Sequence, residues 1–189
     1  RVLAKLFVAE ASRRHWQKEC AGIEALAAAG IATPELLEAA VLAEGGHALL
    51  TAYLDPAESL ADAWANVSRD LAGNAGAIAV LAPALNVLGQ MHRAGLVQDD
   101  LHLGNFLRSE GRLFVIDGDA VRAVSPGKAL DAEQRAGNLA ILLAQLSPAW
   151  DRHQAELLAA YAGSEVDCRL PIERLQQEVW RVRDWRLKD

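Results

Sequence analysis

Val97–Arg122, VQDDLHLGNFLRSEGRLFVIDGDAVR, is the stretch on which the reading of this chain turns. It sets four aspartates, one histidine and one asparagine around two short apolar runs. Ser109 to Arg112 has the composition of a tight turn, so the flanking runs predict a β-hairpin. The register that follows pairs Arg108 with Leu113, then Asn105 with Ile116, with Asp117 one step further on. An amide and a carboxylate then stand side by side at the loop end of two strands. Hard oxygen donors placed this way suit a magnesium ion whose octahedron is completed by phosphate and water. Asp100 lies five residues before Asn105, on the loop feeding the same strand, within reach of the proton of an attacking hydroxyl.

The rest of the composition bounds what such a site serves. At 189 residues the chain is long enough to bury a core without staples. No segment approaches the roughly 18 apolar residues of a membrane span. A net charge of −6 argues against a general nucleic-acid binder, which needs a basic face. Cys20 and Cys168 stand apart with no metal or disulfide spacing, and read as reduced thiols of a cytoplasmic protein. The first residue is Arg1 rather than Met, and the chain opens in what reads as the middle of a sheet, so further residues are expected upstream.

RVLAKLFVAE predicts a strand. A helix follows, with Trp16, Cys20, Ile23 and Ala27 as its buried stripe, Glu19 at the flank and Gly30 as its stop. ELLEAAVLAE, Gly45-Gly46 and HALLTAYL predict a hairpin, although the Ala-rich first arm also suits a helix. From Ser59 to Gly95 the spacing is helical, interrupted at Gly73-Asn74. Beyond the second hairpin, DAEQRAGNLAILLAQL and the remainder return to helix, the last run placing Ile172, Leu175, Val179 and Val182 on one face. His92 is expected to pack where the long helix meets the loop, and His15, His47 and His153 have no partner spacing that marks a site.

These segments resemble a known group of enzymes. GLVQDDLHLGNFL is similar to the H-x-D-x-H-x-x-N loop of protein-kinase-like small-molecule kinases, and VIDGD stands where those have Asp-Phe-Gly or Ile-Asp-Phe-Asp. Lys5 in VLAKLF resembles the phosphate-pairing strand lysine, and Glu19 resembles its helix partner. With the phrase AAGIATP, the likeness is to the bacterial lipopolysaccharide core kinases, the Kdo and heptose kinases with their toluene-tolerance relatives, up to about Leu146. It implies an α+β, protein-kinase-like, two-lobed fold, with residues 1–54 a partial strand-rich N-lobe and 55–189 a mainly helical C-lobe. The first strands and the Gly-rich loop are missing from this stretch, and Gln98 replaces the loop histidine. The resemblance further implies ATP and Mg2+ as cofactors and Asp100, Lys5 and Glu19 as catalytic residues. Lys5, Ala52, Tyr53, Leu54 and His102 would contact the nucleotide, with Asn105, Asp117 and Asp119 at the metal.

Plainer readings stand beside these. Lys5 also suits an edge strand, Glu19 a surface pair with Arg13 or Arg14, His102 a loop-organising role, and Asp119 a bend after a strand. About a dozen residues separate Asp119 from the helix near Asp131, which leaves little room for a peptide platform and favours a small hydroxyl acceptor. The expected acceptor is a lipopolysaccharide core sugar, on an enzyme that is cytoplasmic or peripheral on the inner membrane. An aminoglycoside- or choline-type phosphotransferase and a non-catalytic pseudokinase are the alternatives. From Arg169 onward six Lys or Arg face four Asp or Glu, with Trp180 and Trp185 among them. That run reads as a terminal helix packed on the larger lobe in preference to a membrane-surface helix.

Overall fold

β1 (Val2–Phe7), α1 (Ser12–Ala28), β2 (Leu36–Val41) and β3 (His47–Ala52) open the chain. A computed structural model describes residues 1–67, 74–163 and 170–186; Gly73 and Cys168 lie outside them. The three strands form an antiparallel sheet in the order β1-β3-β2, with Lys5 opposite Leu49. Gly45 and Gly46 both have positive φ and make the turn between β2 and β3. The Ala-rich arm is therefore a strand, because pairing with β3 outweighs the weak helical preference of LLEAAV.

Helix α1 is rotated from its expected face. Glu19, Gly22, Ile23 and Leu26 are buried, whereas Ala27 is exposed and Cys20 only half-buried. The cause is backbone packing. A Cβ on Gly22 would collide with the carbonyl of Gly118, so the helix rests directly on the turn that follows the second hairpin. Apolar periodicity does not register a glycine used for close approach, nor a glutamate whose partners lie far along the chain.

The remaining elements are β4 (Glu58–Ser59), α2 (Leu60–Val67), α3 (Asn74–Arg93), β5 (Leu96–Gln98), β6 (Phe106–Ser109), β7 (Arg112–Val115), β8 (Val121–Ala123), α4 (Ala132–Leu143), α5 (Gln154–Ala162) and α6 (Ile172–Arg186). β6 and β7 pair in the expected register, Arg108 with Leu113, and Ile116 N donates to Asn105 O at 2.9 Å. β4 adds to the hairpin's outer edge. β5 and β8 make a further antiparallel pair that three-residue runs do not announce. α4 starts with a capping box between Asp131 and Gln134. Leu81, Leu85, Leu88 and Met91 of α3 form the centre of the core with Phe106, Leu139 and Tyr161. Each buried leucine contributes about 2 kcal/mol. Leu175 and Val179 are fully buried in the same core, so α6 packs on this body as a terminal helix. Among the described residues no helix is long and apolar enough to cross a membrane.

One polar chain crosses this core. His92 is fully buried, with Nδ1 2.8 Å from the Tyr161 hydroxyl and Nε2 3.0 Å from Asn138 Oδ1. Asn138 Oδ1 only accepts, so His92 carries its proton on Nε2 and accepts from Tyr161 at Nδ1. Asn138 Nδ2 in turn donates to Gln98 O at 2.8 Å. Burial lowers the His92 pKa to about 4, because the hydrogen bond to Asn138 offsets only part of the imidazolium's lost hydration and Arg135 and Arg93 add to the fall. The folded value lies below the unfolded one, so as pH falls from about 6.5 toward about 4 the unfolded chain gains a proton that the folded chain refuses, and stability is lost by up to about 3 kcal/mol. Urea unfolding at pH 7.5 and 4.5 should show this loss in the wild type. It should be reduced in His92→Gln, and an equal pH dependence in both proteins would refute the assignment.

Candidate active site

The site is built around one buried carboxylate. Glu19 is only 4% exposed, and every donor near it is spoken for. Lys5 Nζ lies 2.7 Å from its Oε1. The backbone N–H of Gly118 donates to the same oxygen at 3.3 Å, and that of Asp119 donates to Oε2 at 3.1 Å. Three donors, one of them charged, offset the cost of burying this group. The surface pairing of Glu19 with Arg13 or Arg14 is thus replaced by a link from strand β1, through α1, to the turn after β7. Lys5 lies on β1 beside β3, and its ammonium faces the Glu19 carboxylate.

Asp117 stands at that turn with φ 64 and ψ 67, the left-handed region that Asp and Asn tolerate best among side-chain-bearing residues. Lys5 Nζ is 3.7 Å from its Oδ1. Burial raises the Asp117 pKa, Glu19 raises it further, Lys5 opposes this, and Asp119 and Asp100 add to the rise. Negative charge therefore exceeds positive charge around this carboxylate. Among the described residues no three His, Cys, Asp or Glu side chains are grouped to hold an ion by themselves. Asn105 and Asp117 supply an amide and a carboxylate on one cleft, beside that surplus charge. Such a donor set fits a hard divalent cation that brings most of its ligands as water and phosphate oxygens.

The loop before β6 is held from several sides. Asn105, 5% exposed, donates from Nδ2 to the carbonyl of Asp100 at 2.8 Å and so fixes the loop's width. Gln98 Nε2 reaches the carbonyls of Ile116 and Asp117 at 3.4 and 3.5 Å, linking loop and turn in the place of the histidine of the similar enzymes. Asp99 forms a bidentate pair with Arg122 at 2.9 and 3.0 Å, a clasp across β5 and β8 that raises the Arg122 pKa. His102 organises the loop: its Nδ1 accepts from Gly104 N at 3.1 Å, while Nε2 faces Asp100 Oδ2 at 3.8 Å. The Asp100 carboxylate is 72% exposed and projects outward.

Two clefts meet at this loop. The first, about 300 Å3, is lined by Lys5, Glu19, Asn105 and Asp117 together with the strand end Ala52–Leu54. The N–H groups of Ala52 and Tyr53 donate to Glu35 O and Arg1 O at 2.9 and 3.2 Å. Asp100 and His102 line the second cleft, of about 760 Å3. Asp119 lines neither. Its Oδ2 is 2.7 Å from His15 Nδ1 and its Oδ1 3.8 Å from Lys18 Nζ, so His15, which has no partner spacing in the sequence, does have a partner. Sequence reasoning also missed Thr33, whose hydroxyl is buried in the first cleft without a partner. A lone threonine in a Thr-Pro pair looks like any loop start.

No curated protein sequence matches the chain. Among solved structures, WaaP in complex with acyl carrier protein superposes with a TM-score of 0.66 at 20% identity, covering 97% of this chain and 76% of that one. This is a likeness of fold, and it places the chain among kinase-like α+β proteins. Two glucosamine kinase structures, one with glucosamine, ADP and inorganic phosphate, align at a TM-score of 0.49 with 17% and 19% identity. They cover 97% and 89% of this chain, which spans about three fifths of their length. The family model described as lipopolysaccharide kinase (Kdo/WaaP) matches residues 2–161, most of the sequence, and the chain belongs to that family of kinases.

Proposed function

We propose that this chain carries the phosphoryl-transfer site of an ATP-dependent kinase whose acceptor is a sugar hydroxyl of the lipopolysaccharide core. The observation that supports it best is the meeting of Lys5, Glu19 and Asp117 on one cleft, with Asp100 tethered beside them through Asn105. In this reading residues 1–54 are the lobe that covers the nucleotide and 55–189 the lobe that presents the acceptor. Lys5 pairs with the α- and β-phosphates, and Glu19 keeps it extended. Asn105 and Asp117 would hold Mg2+, which when bound neutralises charge on the transferring phosphates. Leu3 and Leu107 offer the apolar walls for the base, with Ala52–Leu54 at its edge. Asp100 takes the hydroxyl proton as the acceptor oxygen bonds to the γ-phosphorus, and the bond to the bridging oxygen breaks to release ADP. The lipopolysaccharide acceptor further implies work at the cytoplasmic face of the inner membrane, where Trp180 and Trp185, 63% and 64% exposed, are the residues suited to peripheral contact.

Asp100→Asn keeps the shape of the loop and removes its base. Phosphate addition to under-phosphorylated lipopolysaccharide core, followed by mass spectrometry, should fall by about 10²- to 10⁴-fold while Mg-ATP binding persists. Transfer at the wild-type rate would remove Asp100 from the mechanism. No transfer by wild type despite nucleotide binding would remove the acceptor class, and no binding would leave the pseudokinase reading.

Asp117→Asn tests the cation site. The raised pKa of Asp117 means that protons compete with a divalent ion at higher pH than at an ordinary carboxyl. Mg2+ affinity measured with ADP by calorimetry should be at least about tenfold weaker in the variant at pH 8, and the wild type should lose more affinity than the variant as pH is lowered, since the ADP phosphate titrates alike in both. Because the ionised carboxylate is disfavoured in the folded state, Asp117→Asn should melt no lower than wild type at pH 7.5. A lower melting temperature with unchanged Mg2+ affinity would show a structural carboxylate instead.

A further inference from the structure

Asp100 is the least supported side chain of the site. Asn105 ties down its carbonyl, yet its carboxylate is 72% exposed and no donor among the described residues hydrogen-bonds it. A free aspartate samples several rotamers, and a base that must meet one hydroxyl loses rate by doing so. The nitrogen that faces this carboxylate is Nε2 of His102, 3.8 Å from Oδ2. Both side chains line the second cleft, apart from the walls of the first.

The His102 ring is itself fixed from its far side. Its Nδ1 accepts from the backbone N–H of Gly104 at 3.1 Å and so caps the short turn Leu103–Asn105. An accepting Nδ1 leaves the proton of the neutral ring on Nε2, the atom turned toward Asp100. Gly104 also makes room for the ring. A Cβ at that position would lie 2.9 Å from Nδ1 and 3.0 Å from Cε1 of His102. The φ of Gly104 is not positive, so the glycine serves the ring and not the backbone. One residue thus sets both the tautomer and the direction of the imidazole.

We infer that His102 is a positioning residue that aims Asp100: its Nε2–H holds Oδ2 and leaves Oδ1 to the acceptor hydroxyl. The separation of 3.8 Å closes by a small turn of either side chain, as contacts between catalytic groups tighten when substrate fills a site. The inference rests on the phosphotransferase reading for what Asp100 does. The state of the ring and its contact with Asp100 can be measured without turnover, so failure of the contact and failure of that reading are separate results.

Histidine-selective nitrogen NMR of the full chain at pH 8, where a histidine ring is neutral, tests the contact. His102 should show the tautomer protonated at Nε2, and its Nε2 resonance should move in Asp100→Asn while that of His47 stays in place. Transfer to under-phosphorylated lipopolysaccharide core tests the role. His102→Ala, with the melting temperature checked, should lower kcat by about tenfold or more and leave the KM for Mg-ATP within about twofold. His102→Gln, whose amide keeps a donor at similar reach, should recover most of that loss. In an Asp100→Asn background, His102→Ala should cost less than about twofold, because a residue that acts through Asp100 has nothing left to aim. A ring protonated at Nδ1, a His102 resonance indifferent to Asp100→Asn, or an equal loss on His102→Ala in both backgrounds would overturn the inference.

Discussion

The Glu19 carboxylate is the constraint on which the site depends. It lies in the interior, where an ionised group is tolerated only with full hydrogen bonding, and its donors come from two distant parts of the chain. Lys5 is 38% exposed on its side chain, so its pair with Glu19 contributes little to stability on its own. The backbone N–H groups of Gly118 and Asp119 change that balance, because they lose their acceptor if the helix moves away. Gly22 enforces the same contact sterically, since only a residue without Cβ lets α1 lie on Gly118. Strand, helix and the turn at Asp117 are therefore one unit, and the position of Lys5 relative to Asp117 follows from it.

A second network supports the other side of the turn. Tyr161, His92, Asn138 and Gln98 connect α5, α3, α4 and β5 in one line that ends at the carbonyls of Ile116 and Asp117. A turn tied to a buried polar network is held more exactly than one carried by its loop alone. Asp117 needs that support, because its left-handed backbone is costly unless the surroundings over-determine it.

Much of this was legible from local patterns. The hairpin register followed from turn composition and alternation, and with it the juxtaposition of Asn105 and Asp117. The first sheet and the terminal helix were equally readable from periodicity. The rest depended on partners separated by about a hundred residues, as with Glu19 and Asp119, or His15 and Asp119. Such contacts leave no periodic trace, which is why periodicity runs the buried stripe of α1 through Cys20 and Ala27, where the structure buries Glu19, Gly22 and Leu26 beside Ile23.

Amide hydrogen exchange at Gly118 and Asp119, compared between wild type and Glu19→Ala, tests the central claim most directly, since both N–H groups are held by that one side chain. If Glu19 assembles the site, both amides should exchange about tenfold faster or more in the variant, while core amides of α3 stay protected. Equal protection of Gly118 and Asp119 in the two proteins would mean that the turn stands without Glu19, and that the site is organised by something else.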